Sequence, residues 1–362
     1  MRTFLLTVVL VTSLLTSPVE AQQAVPFRGD RTVTVMTRNV YHGVNAEFAG
    51  VATAKSPIDL FMKVAAVYAG YQARTFPERA AALAAEIDAT RPDLIGLQEA
   101  VLVRVQAPPD GPATPAPTVV LDYVQLLLDA LAARGLAYEV VGQSIGWDVE
   151  LPSALGFDVR HTDREVILAR ADLKTADLKI SNVQAGHFAT NCAIPTTLVG
   201  PITITRGWVA ADVKIRGKEF RVLSTHLDGD CADPAIQTAQ AHELVVGPGD
   251  TGLPVVFIGD FNSDPVTGTT AAYGHLMAAG FTDAWDVAGS GPGFTCCQDS
   301  LIRNPESQLT RRIDLVLFRG DFGVIGIDVV GADPADRTPS GLWPSDHAGV
   351  VATLAVPSGR RR

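Results

Sequence analysis

The strongest chemical signal in this chain is a short string, Ile258-Gly259-Asp260-Phe261-Asn262, that ends an apolar run. Side chains two positions apart on an extended chain point to the same side, so Asp260 and Asn262 would share one edge of a sheet. A carboxylate at that edge can orient or activate a water molecule, and an amide can donate to a phosphoryl oxygen. The alternative is an Asx turn, in which both side chains only satisfy backbone groups.

A second string, Ser345-Asp346-His347, precedes an apolar run near the C-terminus. A carboxylate beside an imidazole fixes its tautomer and raises its pKa, so the histidine can act as a general acid or base. Asp314 opens another apolar run and could orient His347 from its far side. The alternatives are a structural Asp-His pair and an ion pair of Asp314 with Arg311 or Arg312.

Three further polar residues follow or end apolar runs. Glu99 offers the hard carboxylate oxygen that Mg²⁺ or Mn²⁺ prefers. Asn39 offers a neutral amide oxygen or donor, and His226 supplies a second imidazole. Each of these residues alone is more commonly a turn residue or an exposed strand end, so only the complete set predicts chemistry.

Runs of alternating or continuous apolar residues predict the strands that carry these groups. The predicted strands span residues 32–36, 93–97, 164–169, 208–215, 220–224, 255–258, 313–318 and 350–354. The predicted strands 208–215 and 220–224 are joined through Arg216-Gly217, and this short connection predicts an antiparallel hairpin. Helical periodicity predicts helices over residues 77–90, 120–134, 234–246 and 267–279. Strands in hairpins together with covering helices favour an α+β layered sandwich.

Two segments are predicted insertions, near residues 44–72 and 107–118. The first has apolar residues at helical spacing between Ile58 and Tyr71, which favours a helix packed on the core or at its rim, with contact to a membrane surface as the alternative. The proline-rich segment 107–118 predicts a loop.

The N-terminus predicts export of the protein. Arg2 precedes an apolar run over residues 4–15 and the small-residue ending Val19-Glu20-Ala21, which is typical of a signal peptide over residues 1–21. That run is shorter than the roughly 17 to 25 residues that span a bilayer, and no later segment predicts a transmembrane helix. We therefore expect a secreted or periplasmic mature protein.

The cysteine content agrees with an oxidising compartment, since four cysteines form an even set. Cys192 and Cys231 are both predicted in loops beside strands, which favours their pairing. Cys296 and Cys297 are then left as a vicinal disulfide or as free thiols.

Composition predicts a packed globular protein, with 47% hydrophobic and 19% charged residues. The net charge of −10 is unfavourable for holding long nucleic acid through bulk electrostatics. It favours small or locally recognised phosphoesters, or metal ions that offset an acidic site.

The polar strand ends arrive in the order Asn, Glu, His, Asp-x-Asn, Asp, Asp-His, at Asn39, Glu99, His226, Asp260, Asn262, Asp314, Asp346 and His347. This order resembles that of the endonuclease/exonuclease/phosphatase superfamily. The resemblance implies a four-layered α/β sandwich in which two mixed, mostly antiparallel sheets face each other with helices outside. It implies one domain over residues 30–356, followed by a basic tail at 357–362.

The resemblance also implies roles for these residues. Glu99 would be the main ligand of Mg²⁺, with Mn²⁺ or Ca²⁺ as alternatives, and Asn39 would lie beside it. Asp260 and Asn262 would activate water and contact the phosphate, while His347, paired with Asp314, would act on the nucleophile or the phosphate. His226 would donate to the leaving oxygen or the transition state. Asp346 would hold a second metal or support the site. The implied reaction is in-line attack of water on a phosphoester.

The resemblance leaves the substrate open, because one such centre serves DNA, RNA, sphingolipid and inositol phosphates. A nuclease or general phosphodiesterase ranks first, a lipid phosphodiesterase second, a phosphatase third, and a non-catalytic binding protein is a remote alternative. Arg164, Arg206 and Trp208 are candidate substrate-binding residues. The expected partner is a phosphoester, in nucleic acid or in a phospholipid head group, bound by a monomer.

Overall fold

This computed structural model describes residues 32–174, 177–268 and 270–356, so the predicted signal peptide (1–21) and basic tail (357–362) lie outside the described residues. The strands are β1 (Thr32–Asn39), β2 (Leu94–Gln98), β3 (Leu102–Gln106), β4 (Thr118–Asp122), β5 (Tyr138–Pro152), β6 (Asp158–Arg170), β7 (Leu178–His187), β8 (Cys192–Ile194), β9 (Ile202–Ile204), β10 (Gly207–Ile215), β11 (Lys218–His226), β12 (Val255–Asp260), β13 (Thr282–Asp283), β14 (Asp314–Arg319), β15 (Gly323–Val330) and β16 (Gly349–Ala355). The helices are α1 (Asn45–Ala52), α2 (Pro57–Ala73), α3 (Phe76–Thr90), α4 (Tyr123–Ala133), α5 (Pro234–Val246), α6 (Ala272–Ala278) and α7 (Ala284–Ala288).

Most strands belong to two large mixed sheets. The first sheet has the order β15-β16-β1-β2-β6-β3-β4, with β5 also paired to β6, and the second has the order β13-β14-β12-β11-β10-β7. The pairs β1–β2 and β11–β12 are parallel, whereas the other pairs are antiparallel. β8 and β9 form a small separate hairpin. The α+β prediction of two mixed, mostly antiparallel sheets is confirmed.

Three apolar clusters separate four layers. The central cluster lies between the sheets and joins residues such as Val35 and Ile167 of the first sheet to Val209 and Ile258 of the second. A second cluster packs α2, α3 and α4 on the outer face of the first sheet. A third packs α5 and α6 on the outer face of the second sheet. Burial of these apolar side chains stabilises the sandwich.

The two sheets approach each other closely near the C-terminal ends of β2 and β11. A Cβ atom at Gly96 of β2 would lie 2.6 Å from the hydroxyl oxygen of Ser224 in β11, so only glycine fits there. The neighbouring Gln98 donates from Nε2 to the same hydroxyl at 3.1 Å. These contacts hold the ends of β2 and β11 together.

Two predicted helices begin later than expected. Residues Thr118–Asp122 pair with β3 as β4, and the Asp122 side chain then caps α4 by accepting hydrogen bonds from two first-turn N–H groups at 3.1 and 3.3 Å. The helix predicted over 267–279 is restricted to α6. Asp264 holds a turn before it, accepting from the N–H of Val266 at 2.9 Å.

The long strands β5 and β7 were not predicted. Register shifts between Val140 and Gly142 and between Ile145 and Asp148 interrupt the alternation of β5. β7 lies at the edge of the second sheet and is mostly exposed. Neither strand has the clean period of two from which a strand is recognised in a sequence.

The segment near residues 44–72, predicted to be an insertion, forms α1 and α2. Leu60, Val64, Val67 and Tyr71 of α2 are buried in the core, which confirms the interpretation as a core-packed helix, whereas Ile58 is exposed. The segment 107–118 is a loop containing the short 3-10 turn Gly111–Ala113. Within the described residues, no helix has the length and apolar character needed to cross a membrane.

The predicted pairing of Cys192 with Cys231 is confirmed, with Cα atoms 5.7 Å apart. It fastens the β8–β9 hairpin to the loop after β11. Cys296 and Cys297 form the vicinal disulfide, which was one of the two predicted alternatives.

Candidate active site

Strand register places the predicted residues along one common edge of the two sheets. In the second sheet His226 pairs with Asp260, and Asp260 pairs with Asp314, so three functional side chains lie side by side across β11, β12 and β14. In the first sheet Asn39 pairs with Gln98, which places Glu99 directly beyond Asn39. The parallel pairs carry their C-terminal ends to the same edge, and this brings the two groups together.

Asn39 joins the two sheets through its amide nitrogen. Its Nδ2 atom donates to Oε1 of Glu99 and to Oδ2 of Asp260, both at 3.1 Å. Its Oδ1 atom accepts from the backbone N–H of Tyr41 at 2.9 Å. The sequence offered Asn39 as a neutral amide oxygen or a donor, and in the structure its donor faces the two carboxylates. A role for Asn39 beside the metal stays a prediction.

Glu99 is held by a backbone in the left-handed region, with φ of 57°, a conformation that costs about 1 to 3 kcal/mol in a non-glycine residue. Its Oε2 atom accepts from the N–H of His42 at 2.8 Å. Burial opposes ionisation, but the neighbouring His42, through its ring and its backbone N–H, and the charge of Arg206 hold the pKa of Glu99 below its ordinary range. Glu99 is thus a buried carboxylate that stays charged.

Asp260 lies between the two histidines. Its Oδ2 atom is 3.4 Å from Nε2 of His226 and 3.8 Å from Nδ1 of His347. Burial and the charge of Asp314 raise the pKa of Asp260 to about 7. The preceding Gly259 has no room for a side chain, since a Cβ atom would lie 2.2 Å from the carbonyl oxygen of Thr225.

His347 is bonded to Asp314, with Nδ1 2.8 Å from Oδ2. Burial disfavours the charged imidazolium, but the surrounding carboxylates, led by Asp314, raise the pKa of His347 to about 10. Ser345 anchors this loop by donating to the carbonyl oxygen of Asn39 at 2.7 Å. His347 is therefore a charged donor whose other nitrogen, Nε2, lies 4.0 Å from Asp346.

His226 is in the opposite charge state. Burial and the positive charge of Arg206 hold the pKa of His226 well below its ordinary value. Because the guanidinium of Arg206 can only donate, its contact at 2.9 Å makes Nδ1 of His226 the acceptor, and the proton of the neutral ring is then on Nε2. Asn262, with φ of 49°, has its Nδ2 atom 3.1 Å from that nitrogen and donates from Nδ2 to the carbonyl oxygen of Leu227 at 3.0 Å.

These groups line a cavity of about 580 Å³. Predicted residues that line it are Glu99, Arg206, His226, Asp260, Asn262, Asp346 and His347. Asn39 and Asp314 lie behind them and act through their hydrogen bonds to Glu99, Asp260 and His347. The structure thus brings the eight residues of the predicted centre together.

A family model described as "Endonuclease/Exonuclease/phosphatase family" matches residues 39–347. The chain belongs to this family. Members of the endonuclease/exonuclease/phosphatase family hydrolyse phosphoric esters and depend on a divalent metal, so this protein is a phosphoester hydrolase of a metal-dependent family.

Solved structures share the fold at low sequence identity. A family protein from Leptotrichia buccalis is 16% identical with a TM-score of 0.56, over 89% of this chain and 99% of that chain. A mannosyl-6-phosphatase from Bacteroides thetaiotaomicron is 17% identical with a TM-score of 0.52, over 89% and 99% of the two chains. D. rerio TDP2 complexed with single-strand DNA product is 18% identical with a TM-score of 0.51, over 90% and 99%. No match was found among curated proteins.

Of the three candidate substrate-binding residues, only Arg206 lines the cavity. Arg164 points to the opposite side of β6, where it donates to the carbonyl oxygens of Ala100 at 2.7 Å and Val101 at 3.2 Å. Trp208 packs on the third apolar cluster, under the outer helices of the second sheet. The expectation for Arg164 and Trp208 is corrected, because alternation along a strand sends neighbouring side chains to opposite faces.

The sequence interpretation missed several residues of the site. His42 lines the cavity with Nε2 3.7 Å from Glu99, and Arg311 enters from the strand-like segment beside Cys296. Asp163 and Glu165 of β6 lie behind Arg206 and His226, at 3.5 and 3.7 Å. The sequence did contain a signal for these two residues. Both are adjacent to Arg164, which begins a predicted strand, so alternation places both on the face that Arg164 does not occupy.

The residues present fit a divalent cation. The carboxylates of Asp260, Asp314 and Asp346 surround the charged imidazolium of His347, and Glu99, Asp260 and Asp346 line the same cavity. Hard divalent cations prefer carboxylate oxygens as ligands, and several carboxylates are present here. Glu99 and Asp346, which both line the cavity, are the residues that would hold the ion.

Proposed function

We propose that this protein is a secreted, divalent-metal-dependent phosphodiesterase that cleaves by in-line attack of an activated water. The observation that carries the proposal is the meeting of Glu99, Asp260 and two histidines of opposite charge state in one cavity. A general base, a neutral donor and a charged donor are thereby present around the position of a single phosphoryl group. We propose that the residues predicted from the sequence to be catalytic have these roles.

The residues divide the reaction between them. Asp260, with its raised pKa, accepts the proton of the attacking water. The imidazolium of His347 donates from Nε2 to a phosphoryl oxygen, and Asn262 adds an amide donor. The neutral ring of His226 presents its Nε2 proton to the leaving oxygen. A bound divalent ion at Glu99 and Asp346 would supply charge neutralisation of the phosphate.

The charge of the cavity favours a diester over a monoester. Arg206 is already paired, with Asp230 at 2.8 Å and Asp163 at 3.5 Å. Arg311 forms no ion pair with any carboxylate in the described part of the chain. The carboxylates of Glu99, Asp260 and Asp346 in the same cavity repel a dianionic monoester more strongly than the single negative charge of a diester.

The same charge pattern disfavours long nucleic acid as the substrate. A nuclease ranked first on sequence, and TDP2 binds a DNA product. However, a chain of net charge −10 with few cavity cations lacks the basic track that follows a phosphate backbone. We therefore propose a small or locally bound phosphodiester.

We further propose Mg²⁺ as the ion, with Mn²⁺ or Ca²⁺ as alternatives, because the donors are carboxylate oxygens. Secretion is supported by the predicted signal peptide and by the Cys192–Cys231 disulfide, since such bonds persist in oxidising compartments. We expect a monomer.

The test is hydrolysis of bis(4-nitrophenyl) phosphate and 4-nitrophenyl phosphate with Mg²⁺, Mn²⁺, Ca²⁺ or EDTA. We expect metal-dependent hydrolysis, faster for the diester, and a fall in kcat of about 100-fold in His226→Gln and in His347→Gln. His242→Gln, at an exposed histidine, is the matched control. Full activity in EDTA, or wild-type rates in both active-site variants, would refute the proposal.

A further inference from the structure

The cavity has two walls of different chemistry. One wall carries the charged and polar residues described above. The other is apolar and is formed by Phe48, Ala52, Trp147, Ile194, Ile202 and Ile204. The hydrolytic reaction uses none of these apolar side chains, so their place in the same cavity requires another explanation.

Three separate elements build the apolar wall. Helix α1 contributes Phe48, strand β5 contributes Trp147, and the β8–β9 hairpin contributes its isoleucines. The rings of Phe48 and Trp147 meet edge to face with centroids 4.8 Å apart, and Trp147 packs with Ile204 and Cys192 in a small apolar cluster. The wall is therefore a packed surface and not a mobile loop.

The Cys192–Cys231 disulfide fixes the hairpin against the rest of the site. Cys231 lies in the loop after β11, which also carries Asp230, the partner of Arg206 at 2.8 Å. The hairpin and the polar wall are thus joined covalently within a few residues of His226.

The apolar wall begins close to the reacting centre. The His42 ring centroid is 6.2 Å from that of Trp147, and Nε2 of the same His42 is 3.7 Å from Glu99. Only one imidazole ring therefore separates the indole from the carboxylate. A substituent esterified to a phosphate at Glu99 and His347 would reach the apolar wall through a few bonds.

We propose that the apolar wall is a subsite for an alkyl group of the phosphodiester substrate, on the ester oxygen that does not leave. This inference rests on the proposed phosphodiesterase function and adds the chemical class of one esterified alcohol. An apolar substituent gains about fourfold in binding for each methylene removed from water. A polar alcohol such as a sugar would leave its hydroxyl groups without hydrogen-bond partners against this wall.

The experiment compares methyl 4-nitrophenyl phosphate with hexyl 4-nitrophenyl phosphate, in the presence of Mg²⁺ and below the concentration at which the hexyl ester forms micelles. Both esters have the same leaving group, so their intrinsic reactivities are similar. We expect kcat/KM to be at least about tenfold higher for the hexyl ester, because several methylenes would be buried.

The variant that tests the wall is Ile194→Ser combined with Ile202→Ser. These residues face each other across the β8–β9 hairpin and are only half-buried, so the fold tolerates the change. The hexyl preference should fall to about threefold or less. Ile325→Ser, at a 53% exposed isoleucine of β15, is the matched control and should keep the wild-type preference.

A wild-type ratio near one would overturn the subsite and leave the phosphodiesterase proposal intact. An unchanged ratio in the double variant would overturn it in the same way. If no metal supports hydrolysis of either ester, the proposed function fails. Calorimetric binding of hexylphosphonate against methylphosphonate then decides the subsite separately. Tighter hexyl binding that the double variant removes supports it, and equal binding of the two ligands overturns it.

Discussion

At the scale of single residues, two buried glutamates near the same cavity have different charge states. Glu99 accepts the N–H of His42 and is held ionised. Glu165 lies 3.7 Å from His226, and burial together with the charge of Asp163 raises the pKa of Glu165 well above its ordinary value. One is thus a charged ligand candidate, and the other is a neutral acid that supports its neighbours.

This contrast predicts different effects of the same substitution. Glu99→Gln should weaken Mg²⁺ binding and lower kcat/KM by at least about 100-fold, because even groups that only orient a ligand contribute about 10- to 100-fold. Glu165→Gln should lower kcat/KM less than about tenfold, since a neutral amide replaces a neutral acid. Calorimetric Mg²⁺ titration and steady-state kinetics measure both. Equal losses in the two variants would mean that Glu165 is ionised.

The Asp314–His347 pair predicts a shift in pH dependence. The negative charge of Asp314 favours the imidazolium, so Asp314→Asn should lower the pKa of His347 from about 10 and move the alkaline limb of the kcat profile towards neutral pH. The maximal rate should also fall, by about 100-fold. Asp321→Asn, at an exposed carboxylate, is the control, and an alkaline limb at the same pH in both variants would contradict the assignment.

At the scale of elements, strand β6 serves both sides of the first sheet. Asp163 and Glu165 face the second sheet and contact Arg206 and His226. Arg164 faces the other way and holds the segment after Glu99, with an additional ion pair to Asp122 at 2.5 Å. A single strand therefore holds the segment after Glu99 from one face of the sheet and contacts His226 from the other.

His161 of strand β6, which contacts helix α2, predicts that the stability of the fold decreases in acid. Nδ1 of His161 is 2.5 Å from the hydroxyl of Tyr71, and burial together with the charge of His42 lowers the pKa of His161 well below its ordinary value. The folded state therefore disfavours the imidazolium. This contribution to stability is fully present above pH about 6.5 and is lost as the pH falls towards the folded pKa.

His161→Gln removes the titrating group and keeps a polar partner for Tyr71. The loss of unfolding free energy between pH 6.5 and pH 5 should be smaller in this variant by about 1 to 2 kcal/mol. Urea denaturation at the two pH values measures it, with His242→Gln as the control. An identical pH dependence of wild type and His161→Gln would show that folding does not lower the pKa of His161.

At the scale of the whole molecule, the site lies at the common edge of the two sheets. Two disulfide bonds lie beside this edge. The Cys192–Cys231 disulfide encloses a stretch of chain with a sequence separation of 39 and fastens the apolar hairpin. The Cys296–Cys297 disulfide encloses no chain, and both of its sulfurs contact Arg311, at 3.1 and 3.3 Å. The first bond is therefore placed to stabilise the fold, and the second to shape the site.

The two disulfides predict separable effects. Cys192→Ser combined with Cys231→Ser should lower the unfolding free energy by about 2 to 4 kcal/mol, since the unfolded chain loses a loop constraint. Cys296→Ser combined with Cys297→Ser should change stability less and kcat/KM more, because Arg311 loses its contacts. Thermal unfolding and diester kinetics measure the two effects. A larger stability loss in the vicinal variant would contradict this division.

Much of the fold was predictable because the central strands are buried and strongly patterned. β1, β2, β11, β12, β14 and β16 were all recognised, and these strands or the turns beside them carry the predicted centre. β5 and β7 were missed because bulges and exposure remove their alternation. The site was predicted where a polar residue ends an apolar strand. It was missed at His42, which lies in a loop, and at Arg311, which forms only an isolated β-bridge.

The sequence by itself determined which polar residues end the central strands, and their order predicted both the family and the eight-residue centre. Only the tertiary structure decided which of its two predicted roles Asn39 has towards the two carboxylates, and that Arg164 faces away from the cavity. It also decided that His226 is neutral while His347 is charged, and that apolar residues line the same cavity as these histidines. These properties depend on burial and on contacts between distant segments, and a pattern of neighbouring residues does not encode such contacts.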